Sequence, residues 1–216
     1  MGFAELLGWK GLYYLQRRAY AEAEAAFQRA IGLVEGVGGQ QSLLYAVLWR
    51  RWGAVAWDQG RYEEAVERYR RGARVLEGLG LTEHPDYART LHNLANVYYA
   101  QGRYGEAEAL HLEAKAIRAR VLGPEHPDYA RTLNNLAVVY WAQGRYGEAE
   151  ALYLEVKAIR AKVLGTEHPD YASTLHNLAA VYEAQGRYGE AEALHLEAKA
   201  IRARVLGTEH PEYART

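Results

Sequence analysis

Leu91, Leu94, Ala95 and Tyr98 recur at i, i+3, i+4 and i+7, which places four apolar side chains on one face of a helix. Pro85 fits the first turn of that helix, where its missing N–H costs nothing, and Asp86 complements the helix dipole. Gly102 supplies a left-handed C-terminal cap. A second helix is predicted from about Tyr104 to Leu122. Its stripe is Ala107, Leu110, His111, Ala114, Ile117 and Val121, broad and rich in small residues, suited to packing on two neighbours. Gly123 ends it, and Glu125-His126-Pro127 turns into the next element. The pattern leaves no place for strands.

This two-helix pattern repeats. His-Pro-Asp-Tyr-Ala begins at His84, His126 and His168, and His-Pro-Glu-Tyr-Ala at His210, a step of 42 residues each time. Segments 84–125 and 168–209 match at 38 of 42 positions, and 126–167 differs from either at seven. Weaker identity keeps the register upstream: Gln59-Gly60-Arg61-Tyr62 lies 42 residues before Gln101-Gly102-Arg103-Tyr104. One repeat domain over 1–216 is expected, with units 1–41, 42–83, 84–125, 126–167 and 168–209 and a truncated sixth at 210–216. A lone helix pair cannot bury both faces, so stability must come from stacking neighbours. Unit 1–41 has Gly8, Trp9 and Gly11 where copies 84–125, 126–167 and 168–209 have His or Asn, Asn and Ala, and reads as a degenerate N-terminal cap.

Charge and composition narrow the function. With 26 basic and 27 acidic side chains, net charge -1, there is no electrostatic footprint for nucleic acid. Residues 1–83 carry 11 basic and 10 acidic groups and 84–216 carry 15 and 17, so neither part is basic enough to change that. The absence of cysteine removes disulfides, thiolate metal sites and cysteine nucleophiles. No apolar run reaches the roughly 18 residues of a membrane span, and residues 1–16 lack the features of a signal peptide. A cytoplasmic protein without membrane contact is expected.

The residues Leu91…Leu94-Ala95…Tyr98, Gln101-Gly102-Arg103-Tyr104, Glu106-Ala107-Glu108-Ala109 and Ile117-Arg118…Val121-Leu122-Gly123 resemble a tetratricopeptide repeat of the 42-residue kinesin-light-chain-like type. The resemblance spans essentially the whole chain, strongly from residue 42. It implies an all-α fold, a right-handed superhelical solenoid of antiparallel helix pairs whose first helices line a concave groove. It also implies a binding surface rather than an enzyme.

Eight of the 42 columns vary among the three best copies, and four of them lie on the first helix: Arg89/Arg131/Ser173, His92/Asn134/His176, Asn96/Val138/Ala180 and Tyr99/Trp141/Glu183. They draw one stripe across from the Leu91/Leu94/Tyr98 face, on the side that the resemblance assigns to the groove. The second-helix charges Glu106, Glu108, Glu113, Lys115 and Arg118 look exposed yet are identical in all three copies, so drift alone is a poor account of the stripe. Asn93, Asn135 and Asn177 recur once per unit. A carboxamide both donates and accepts, so these could clamp the backbone of an extended peptide. Arg50, Arg51, Arg89 and Arg131 offer partners for carboxylates, and Trp57, Tyr99 and Trp141 form an aromatic column. The expected peptide groove comprises Arg50, Arg51, Trp57, Arg89, His92, Asn93, Asn96, Tyr99, Arg131, Asn134, Asn135, Trp141 and Asn177. Its expected partner is an extended protein segment with acidic and apolar residues.

Other chemistry finds little support. The eight histidines do not cluster at ligand spacing: His84, His126, His168 and His210 each precede a proline, and His111 and His195 share a packing column with Tyr153. No nucleophile elbow, Walker loop, zincin motif or dinucleotide fingerprint occurs. No catalytic residue, metal or cofactor is expected. The alternative to peptide binding is a structural module that stacks end to end through an uncapped C-terminal unit, or a fragment of a larger multidomain protein.

Overall fold

A computed structural model describes residues 2–206 of the chain. The described residues form ten α-helices and no strand: α1 (Gly2–Gln16), α2 (Tyr20–Gly36), α3 (Leu43–Asp58), α4 (Tyr62–Gly78), α5 (Pro85–Ala100), α6 (Tyr104–Val121), α7 (Pro127–Ala142), α8 (Tyr146–Val163), α9 (Pro169–Ala184) and α10 (Tyr188–Leu206). Each repeat is one helix pair. The expected sixth unit, with His210, lies outside the described residues. Two compact units emerge, residues 1–117 and 118–216, with the boundary inside α6.

Both ends of the first helices are built from the repeated motif. Gly102 adopts φ 74°, its N–H bonds the Tyr99 carbonyl at 2.9 Å, and Arg103 N–H bonds the Tyr98 carbonyl at 2.8 Å. These two bonds close a Schellman cap that an L-residue with a Cβ would strain. At the other end, His84, His126 and His168 are N-caps: each Nδ1 accepts the N–H of Asp86, Asp128 and Asp170 at 3.0–3.1 Å. Their place one residue before an N1 proline was the available signal.

In unit 1, α5 buries Leu91, Leu94, Ala95 and Tyr98 as the periodicity requires, and Val97 and Thr90 with them. In α6, Ala107, His111, Ala114 and Ile117 are buried, but Val121 is 43% exposed. The seat on the next first helix belongs in unit 2 to Arg118, only 2% exposed. Arg118 Nη1 donates to the Asp128 carbonyl at 2.9 Å and to the Thr132 hydroxyl. Arg160 repeats the latch on Asp170 O at 2.8 Å and Thr174 Oγ1 at 2.7 Å.

Gly8 and Gly11 are packing positions. A Cβ on Gly11 would stand 2.7 Å from the Phe27 ring, and one on Gly8 2.8 Å from Leu48 Cδ2. The backbone of α1 closes on α2 and α3 because these two side chains are missing.

Candidate functional site

The expected groove residues fall on α3 and α5 in unit 1 and on α7 and α9 in unit 2. In unit 1, the Arg50 side chain keeps only 12% of its exposure, and Nη2 donates to Asp86 Oδ1 at 3.1 Å. Burial lowers the Arg50 pKa to about 10, with Arg89 and Arg51 pushing the same way and Asp86 opposing. Arg89 reaches the same oxygen at 3.5 Å but stays 42% exposed. Arg51, also lowered by burial, lies 4.7 Å over the Trp9 ring of α1. Arg50 and Arg51 thus serve contacts inside the protein, whereas Arg89 faces outward.

His92 requires a correction. It is 3% exposed and its ring meets His111 of α6 edge-on at 5.1 Å, so it belongs to the core and not to a ligand surface. His176 and His195 form the same pair at 5.0 Å in unit 2, and the middle copy carries Asn134 and Tyr153 at these positions. Two of the eight variable columns therefore touch each other. They vary together because their volumes must add up.

The asparagines make internal bonds. Asn93 bonds the buried Tyr69 hydroxyl of α4. In unit 2, Asn134 Nδ2 donates to Asn135 Oδ1 at 3.2 Å and Asn177 Nδ2 to Asn134 Oδ1 at 3.4 Å, a carboxamide chain from α7 to α9. All four are half-buried, as is Asn96. Of the aromatics, Trp57 stacks against Tyr62 and Tyr99 against Tyr104, both at 5.5 Å, while Trp141 stands 43% exposed. Arg131 is half exposed, 2.9 Å from Asp128. Further along the stripe, Glu183 lies 3.4 Å from His195 Nε2.

Several of the second-helix acids are exposed, as their sequence suggests, and are bonded as well. Arg145 and Arg187 hold Glu148 and Glu190 at 2.6–2.7 Å, and Arg103 holds Glu106. Arg187 also bonds Glu150 of the preceding pair at 2.9 Å, as Arg61 bonds Glu24 in unit 1. Tyr129 donates to Glu155 at 3.0 Å. Bonding gives these acids a role inside the fold, so their identity from copy to copy does not isolate the first-helix stripe as a ligand surface.

Among the described residues, no three His, Asp or Glu side chains converge to hold a metal ion, and no helix is long and apolar enough to cross a membrane. No curated protein matches this chain. Among solved structures, BtubC (BKLC) from P. vanneervenii is similar, 27% identical with a TM-score of 0.84 over 93% of this chain and 80% of that one. A Podosopora anserina kinesin light chain with nearly identical TPR-like repeats is 28% identical, with a TM-score of 0.80 over 93% and 95%. The Rap conjugation gene regulator of plasmid pLS20, in complex with the Phr* peptide, shares the fold at 14% identity and a TM-score of 0.67, over 90% of this chain and 52% of that one. The tetratricopeptide repeat signature matches residues 2–78, 44–119, 86–162, 134–202 and 170–216. With all-α helix pairs repeating every 42 residues under that signature, the chain belongs to the tetratricopeptide repeat family, whose fold is generally a non-catalytic scaffold for protein interactions.

Proposed function

We propose that the first-helix faces bind an extended protein segment carrying acidic and apolar side chains. In this reading the repeats act as one cytoplasmic domain, without catalysis and without nucleic acid. The observation that carries it is the exposure of Arg89 and Arg131, at 42% and 50%, on first helices, where the neighbouring Arg50 side chain is only 12% exposed. A guanidinium held on one edge by Asp86 or Asp128 still offers N–H groups to a carboxylate. Tyr99 lies ten residues after Arg89, as Trp141 does after Arg131, which places an aromatic side chain about 15 Å further along the same helix. Peptide capture by a Rap protein of this fold supports the reading as an analogy.

Asn93, Asn135 and Asn177 remain part of the proposed surface, since one internal bond uses only part of what a carboxamide can make. Arg50, Arg51 and Asn134 act behind it by holding its framework. Fluorescence polarisation with short labelled peptides that alternate acidic and aromatic residues tests this. Saturable binding should weaken about tenfold or more in an Arg89→Ala, Arg131→Ala variant. Equal affinity for both proteins would overturn the reading.

A further inference from the structure

A cavity of about 420 Å³ opens between α4 and the loop that joins α2 to α3. Gln40 and Gln41 line it from the loop. Glu67, Arg71, Arg74 and Gly78 line it from α4, where they follow one another at i, i+4, i+7 and i+11 along one side of the helix. Two later repeats are clasped at the same place by an ion pair. Stepping by 42 residues, the column of Gln41 holds Glu125 and Glu167, and that of Gly78 holds Lys162 and Arg204. Lys162 bonds Glu125, and Arg204 bonds Glu167 at 2.8 Å, each tying a second helix to the loop before its repeat. Gln41 and Gly78 supply neither partner of this clasp, and the space between loop and helix stays open.

The lining changes sign as well. Arg71 stands in the column of Glu155 and Glu197, and Arg74 in that of Ala158 and Ala200. The Arg71 guanidinium lies 4.5 Å over the ring of Trp49, a residue only 8% exposed. One face of the cation is thereby covered and its orientation set, while the N–H groups along its edge remain to donate. Arg74 Nε donates to the Arg70 carbonyl at 3.4 Å, which leaves its two terminal nitrogens. Among the described residues neither arginine forms an ion pair. Glu67 is the one acid among the described lining residues, a turn before Arg71. Glu35 of α2 and Glu77 of α4 accept the hydroxyls of Tyr45 and Tyr87 at 2.6 and 3.0 Å.

We infer that this cavity is a binding site for a small dianion, a low-molecular-weight ligand with a diphosphate or two carboxylates, separate from the first-helix surface. A guanidinium edge bonds two oxygens of a phosphate or carboxylate at once, and two guanidiniums three residues apart, about 4.5 Å along the helix, match two such groups. Gln41 and Gln40 add N–H donors from the loop, Gln40 keeping one after its bond to the Glu35 carbonyl. The volume lies in the range of small-molecule sites, about 300–1,000 Å³. Isothermal titration with inorganic pyrophosphate, and separately with succinate, tests this against sodium chloride at matched ionic strength, which screens charge without filling a site. At least one of the two dianions should bind saturably, and about tenfold or more weakly to Arg71→Gln and to Arg74→Gln. The pair Gln41→Glu, Gly78→Lys rebuilds the clasp of the later repeats and should abolish binding. An added Cβ at Gly78 meets nothing within 4 Å, so this variant tests the site without disturbing the packing. Binding should persist in Arg89→Ala, Arg131→Ala, which separates the cavity from the groove. No saturable binding of either dianion, heat that follows ionic strength alone, or unchanged affinity in Arg71→Gln overturns the inference.

Discussion

Arg118 shows how far one side chain can depart from its appearance in sequence. A charge in the last turn of an amphipathic helix reads as solvated, and the basic last turn suits the helix dipole. In the fold its guanidinium is buried and donates to a helix-opening carbonyl and to the Thr132 hydroxyl. An ionised donor buried against two acceptors is worth more than a surface pair. Replacing it with Met keeps the stem and removes the donors, so Arg118→Met should destabilise the protein by about 2 kcal/mol in urea unfolding. Thr132→Val removes one acceptor and should cost about 1 kcal/mol. A loss within error for Arg118→Met would mean that the latch adds nothing over packing. The N-cap histidines teach the same lesson more gently, because the proline after them marked their position and only the accepting Nδ1 went unread.

At the scale of helices, the pattern of apolar spacing was a sound guide to where elements begin and end. The helix predicted from Pro85 runs Pro85–Ala100, and the one predicted from Tyr104 ends at Val121, one residue short of expectation. What spacing could not show was which second-helix column each first-helix column meets. His92 lay on the variable stripe, but its neighbour is His111, and that pairing depends on how α5 and α6 cross. The structure predicts coupling between these columns. In unit 2, Tyr153 is 2% exposed, and Tyr153→His alone leaves a space that the small Asn134 cannot fill. Adding Asn134→His and Val156→Ala recreates the side-chain set of the flanking copies. The triple variant should be more stable than Tyr153→His by about 1 kcal/mol, read from denaturant midpoints at constant slope. Strict additivity of the single changes would show that the columns do not pack as a unit.

Over the whole molecule, tyrosines dominate the response to alkali. Burial first, then the Glu155 carboxylate, pushes Tyr129 up to about 12, and burial also raises Tyr45, Tyr69, Tyr87, Tyr171 and Tyr182. A phenol raised in the folded state is still protonated where its unfolded counterpart has ionised, so the unfolded chain binds fewer protons and stability falls as pH rises. The loss begins near the ordinary tyrosine value of about 10 and continues towards 12. Arg50, Arg51 and Arg160 act in the opposite sense, because a lowered value makes the folded state release a proton first, but they stand against seven phenols once Tyr99 is included. Thermal scans from pH 8 to 11 should therefore show a steep fall in Tm above about pH 10, and a shallower one in Tyr129→Phe. A flat profile would contradict the burial of these rings.

By itself, the sequence determined the all-α repeat, its 42-residue step, its glycine caps and the apolar face of every first helix. Each of these is a local property, set by spacing along one helix or by one residue at a turn. Tertiary structure alone decided which polar residues make bonds inside the fold. Arg50 on Asp86, Arg118 on Thr132, Asn177 on Asn134 and His92 on His111 join residues 14 to 43 positions apart. Whether a charged or amide side chain faces water or a neighbouring helix depends on how helices cross, and no periodicity within one helix records that.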